Sequence, residues 1–161
     1  MVFYSWRPSV GNCRLIPFTA NAAVTPEILG TPADARRPLF IVVHGLNPEE
    51  KQWRALAATF AEQGEVLRLR YHATLMSNAD PNELARNIAM HIEDAVPADR
   101  SVRVVLIAHS MGAPLIRRAL LLGRGQPWVE RVHRVVLMAG ISRGWDLSGE
   151  PPPGTIKVHR L

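Results

Sequence analysis

The chain has 161 residues, 47% of them hydrophobic and 20% charged, which excludes wholesale disorder and suffices for one domain with a continuous core. A single cysteine, Cys13, excludes a disulfide framework and a Cys-cluster metal site, and fits a reducing, cytoplasmic setting. The formal net charge of +5 is spread over dispersed arginines, with Arg36-Arg37 and Arg117-Arg118 the only adjacent pairs, so no nucleic-acid partner is expected.

The opening residues MVFYSWRPSV lack the pattern of a secretory signal. No apolar run approaches the roughly 20 residues of a membrane-spanning helix, so a soluble domain without stable membrane insertion is expected. Residues 1–38 carry Pro8, Pro17, Pro26, Pro32 and Pro38 with Gly11 and Gly30, and read as an irregular N-terminal arm with a short edge strand at Val2–Trp6. Regular patterning begins at Leu39–Val43 (LFIVV), an apolar, β-branched run suited to a strand buried on both faces. Asn47 and Pro48 then predict a helix start, Trp53, Leu56, Ala57, Phe60 and Ala61 its inner face, and Gly64 its stop. Val66–Tyr71 follows as a strand with Leu67, Leu69 and Tyr71 on one face, and the arginines at 68 and 70, on the other face with Val66, predict a less buried strand.

A second helix opens at Asp80-Pro81-Asn82-Glu83, with Leu84, Ile88, His91, Ile92 and Ala95 inward and Pro97 beyond its end. Val102–Ala108 is another buried strand, Met111–Leu122 a helix broken by Gly123 and Gly125, and Val132–Ala139 a fourth strand. The alternation of strand and helix predicts a mostly parallel sheet with helices on both faces. Gly140–Leu161 reads as a Gly/Pro-rich loop with one short strand at Thr155–Val158.

The chemistry concentrates at the strand-to-helix junction Ala108-His109-Ser110-Met111-Gly112. A sharp turn there holds Ser110 above the C-terminal edge of the sheet, and needs small residues two before and two after it, here Ala108 and Gly112. The Met111 amide, at the helix start, is directed to the same space. A tetrahedral oxyanion needs a second donor; the loop after the first strand, His44-Gly45-Leu46, can supply the Leu46 N–H because Gly45 permits close approach. His44 is expected to orient or brace that loop, and His109 to pack beside the site, so His44, Gly45 and His109 flank the bound substrate. The bland alternative for Ser110 is an ordinary helix cap after a Rossmann-like strand.

The segments FIVVHGL (Phe40–Leu46), IAHSMGA (Ile107–Ala113) and VVLMAG (Val135–Gly140) resemble the α/β-hydrolase family in order and spacing, nearest to bacterial serine esterases and lipases. The resemblance covers residues 39–140. It implies an α/β-hydrolase-like fold over 39–161 and hydrolysis of a carboxylic ester or lipid through an acyl-enzyme at Ser110, without metal or cofactor. It also implies that the acid and the histidine follow the serine in the chain. Asp146, in the loop after the fourth strand, is then the candidate acid, and His159 the candidate base. The family's histidine follows a later strand, so the chain is expected to be C-terminally truncated after about the sixth strand of the family fold and a poor esterase as it stands. A minimal hydrolase that recruits His159, or a non-catalytic binding module of the same fold, are the alternatives. Oligomeric state is open.

Overall fold

The computed structural model describes residues 21–34, 36–45, 50–72, 79–96 and 101–140. The elements run β1 (Val24–Gly30), β2 (Leu39–Val43), α1 (Glu50–Ala61), β3 (Glu65–Tyr71), α2 (Pro81–Ala95), β4 (Val104–His109), α3 (Gly112–Leu122), the single turn α4 (Pro127–Glu130) and β5 (Val132–Met138). They build a five-stranded sheet in the order β1-β3-β2-β4-β5. β2, β3, β4 and β5 are mutually parallel and β1 is antiparallel to β3.

The two central strands explain themselves. Every residue of β2 is buried, as the LFIVV run requires of a strand covered on both faces. Leu39, Ile41 and Val43 point into a core shared with Leu84, Ile88 and Ile92 of α2 and Leu115 and Ile116 of α3. Phe40 and Val42 point the other way, into a smaller core with Trp53 and Ala57 of α1. The period of two in the strands thus sorts the helices, α1 on one face and α2 with α3 on the other. Asp80 caps α2, its carboxylate accepting from the Asn82 N–H at 2.8 Å, with Pro81 in the first turn where no donor is needed. Among the described residues no helix is long and apolar enough to cross a membrane.

Two expectations need correction. The stretch 1–38 is not irregular throughout, because Val24–Gly30 forms the edge strand β1. Pro26 and the exposed Ile28 hide it from pattern reading, but an edge strand tolerates both, having one unpaired side. β1 in turn changes β3. Arg68, expected in a less buried strand, is only 3% exposed because Glu27, its register partner on β1, meets its guanidinium at 3.0 Å. Val2–Trp6, Asn47 with Pro48, and Thr155–Val158 lie outside the described residues.

Candidate active site at the C-terminal edge of the sheet

β4 ends at His109, and the chain must reverse direction within three residues to start α3 at Gly112. It does so by placing Ser110 at φ +49°, a left-handed conformation that L side chains rarely adopt. Such a torsion costs on the order of 1–3 kcal/mol and persists only where surrounding bonds hold it. Here the Ser110 N–H donates to the Met138 carbonyl at 2.9 Å, and the Ser110 carbonyl accepts from the Ala113 N–H at 3.1 Å. Neither bond uses the Met111 N–H at the mouth of α3.

The size rule for the turn has a visible cause. A Cβ on Gly112 would stand 2.5 Å from the His44 carbonyl oxygen and 2.7 Å from that of Val43. Ala108 is fully buried beneath the turn. Gly45 is under the same constraint from the other side: a Cβ there would come within 2.8 Å of Ser110 Cβ and 3.1 Å of the His109 carbonyl. Gly45, two residues after β2, therefore packs directly against the serine.

His44 is buried, with its ring stacked on Tyr71 at 4.2 Å between centroids. Its Nε2 accepts the Tyr71 backbone N–H at 3.2 Å, its Nδ1 faces the Gly45 carbonyl at 2.7 Å, and its own carbonyl accepts the Tyr71 hydroxyl. Both ring nitrogens are committed to backbone, so His44 braces the loop and cannot shuttle protons. His109 is half-buried with its ring 5.6 Å from that of Trp53. His91 of α2 contacts the Val24 carbonyl at 3.0 Å. His72 is exposed, and His133 is exposed where β5 begins, at the opposite edge of the sheet from Ser110. Leu46, Asp146 and His159 lie outside the described residues.

Sequence reasoning missed two contributors. Tyr71 was legible only as an inward residue of its strand, since its partnership with His44 depends on the β2–β3 register. Ala139, at φ +45°, ends β5 just after the carbonyl that holds Ser110, and no local signal announces that torsion.

A strained serine between a parallel strand and a helix, with Gly45 after the adjacent strand packed on it, has the strand–turn–helix geometry of an elbow on a doubly covered sheet. The fold is that of the α/β-hydrolases. The family model of lecithin:cholesterol acyltransferase matches residues 65–144. Among solved structures the chain is similar to the ferulic-acid-bound Est1E of Butyrivibrio proteoclasticus, at 19% identity and a TM-score of 0.54, covering 70% of this chain and 47% of that one. It is similar to the monoacylglycerol lipase of Paleococcus ferrophilus at 18% identity and a TM-score of 0.54, covering 73% of this chain and 43% of that one. The mature lipase BlEst2 of Bacillus licheniformis matches at 18% identity and a TM-score of 0.51, covering 74% of this chain and 47% of that one. The chain thus spans less than half the length of each of these structures. A search of the curated proteins finds no match.

Proposed function

We propose that the chain carries the nucleophile of a serine ester hydrolase acting on a carboxylic ester or lipid in a reducing, cytoplasmic setting. The observation that carries this reading is Ser110 itself, held at φ +49° against Gly45. Presenting a hydroxyl above a sheet edge from a strand-to-helix turn calls for such a torsion. In the proposed reaction Ser110 Oγ attacks the ester carbonyl carbon while its proton passes to a histidine base, for which His159, with Asp146 to orient it, is this chain's candidate. The oxyanion is held by the N–H groups of Leu46 and Met111. Collapse returns the proton to the departing alcohol and leaves an acyl-serine, which a water molecule then cleaves by the same route. Gly45 shapes the approach to the carbonyl, and His44 and His109 flank it.

Labelling with a fluorophosphonate probe and hydrolysis of short-chain p-nitrophenyl esters test the proposal. Both are expected to vanish in Ser110→Ala, and full activity in that variant would sink the assignment. His159→Ala tests the candidate base: efficient turnover that this change abolishes would make the chain a minimal hydrolase, whereas a chain without a working base keeps only the acceleration of about 10³–10⁴ over water that an oxyanion site alone sustains. A folded chain that binds esters without turnover or labelling would instead be the non-catalytic module of the same fold.

A further inference from the structure

The outer face of α2 carries a charge pattern that the helix itself does not reward. Arg86 and Glu93 are both exposed, and between them on the same stripe lie the half-buried Ala89 and Met90, which is 51% exposed. A helix favours anions near its N-terminus and cations near its C-terminus. α2 has no basic residue in its last turn, where Glu93 and Asp94 stand instead. Among the described residues neither Arg86 nor Glu93 has an ion-pair partner. Beside the stripe a groove of about 280 Å³ opens between α2 and the last turn of α3, bordered by the exposed Leu122 and floored by the buried Trp128. It lies at the end of α3 away from Ser110.

The pattern is its own complement. Arg86 and Glu93 stand symmetrically about the midpoint between Ala89 and Met90, each about 5 Å from it along the axis at roughly 1.5 Å per residue. A second α2 laid antiparallel on the first, with a two-fold axis through that midpoint, sets each Arg86 against the other copy's Glu93. The same operation puts each Met90 over the other copy's Ala89, whose small side chain permits close approach, and beside the groove that Leu122 borders. An unbranched, flexible methionine suits an irregular gap of this kind. Each Glu93 also gains a cation at the helix end where its own helix supplies none. Parallel pairing would set Arg86 on Arg86 and Glu93 on Glu93, so the charges select one orientation. We infer that α2 is the contact face of an isologous dimer, in which a second copy of this chain docks antiparallel through Arg86, Met90 and Glu93. The inference stands apart from the ester-hydrolase reading, since it uses no residue of the sheet edge that holds Ser110.

Sedimentation equilibrium of the full 161-residue chain tests it. The wild type should shift from monomer toward dimer as its concentration rises to about 1 mM, the range in which a small interface associates. Arg86→Glu leaves acids at both positions and Glu93→Arg leaves bases at both, so each variant alone should stay monomeric where the wild type is dimeric. Mixed in equal amounts, the two should form a heterodimer, because every charge again meets its opposite across the contact. The double reversal R86E/E93R should dimerise like the wild type, and Met90→Asp should not. Should either single reversal lose its far-ultraviolet dichroism, the double reversal, whose charges run with the helix dipole, decides together with Met90→Asp. A wild-type chain that is monomeric throughout overturns the inference. So does a wild-type dimer whose two reversed chains fail to pair when mixed, and so does a dimer indifferent to every change, which would place the contact at the outer edge of β5 instead.

Discussion

Among the described residues, two at the C-terminal edge of the sheet hold left-handed torsions without being glycine, Ser110 at φ +49° and Ala139 at φ +45°. On the proposed reading the serine has a chemical reason for its strain, and the alanine has none of its own. Ala139→Gly should therefore raise stability by about 1 kcal/mol, the relief at positive φ outweighing the extra freedom glycine brings to the unfolded chain. Chemical denaturation measures this, and a loss of stability would mean that the Ala139 methyl makes a contact worth more than the strain. Tyr71 sets a second expectation. Burial pushes its phenol well above the ordinary value of 10.0. A raised folded-state value favours folding fully below pH 10 and loses that contribution as pH climbs from there toward the folded value, because the unfolded chain gives up its proton first. The phenolate absorbance that distinguishes the wild type from Tyr71→Phe should accordingly appear together with loss of far-ultraviolet dichroism. Phenolate in a fully folded chain near pH 10 would show that the ring is wetter than its burial implies.

Among the elements, β1 repays attention because it was hidden in the sequence and yet completes a neighbour. Its alternation is blunted by Pro26, and among the described residues only one side of it is paired, so neither composition nor periodicity marks it as a strand. β2 and β4, by contrast, were legible because strands buried on both faces have to be written as continuous apolar runs. The misreading of Arg68 followed from missing β1, since a charge looks exposed until its partner is found across the sheet. That pair is now an element-level prediction. Glu27→Ala should destabilise the fold by more than the roughly 1 kcal/mol of an exposed ion pair, since it strips a carboxylate from a guanidinium that is 3% exposed. A midpoint in urea unchanged from wild type would show that other contacts of Arg68 carry the charge. The elbow was readable for a different reason: its requirement for small residues at 108 and 112 is local, imposed by a turn of a few residues. The Tyr71–His44 brace was not, because it joins residues of different strands and exists only once those strands are in register.

Across the whole molecule the sheet is unevenly covered. β2 is buried along its length, while β5 shows Val135, Val136 and Leu137 at 36–39% exposure on its alternating faces. Amide hydrogen exchange should follow that gradient, with β2 and β4 slowest and β5 released earlier, by opening that does not require global unfolding. Equal protection across the sheet would show that β5 is held as firmly as the centre. The close packing of Gly45 on Ser110 has a consequence of another kind. The two residues stand at positions 45 and 110 of the chain, and they meet only when β2 and β4 lie side by side. A nascent or partly opened chain would carry the serine as an unremarkable hydroxyl, with neither the torsion nor the facing loop. On the proposed reading of Ser110, its reactivity waits on the pairing of β2 with β4, and labelling there would report the completed fold.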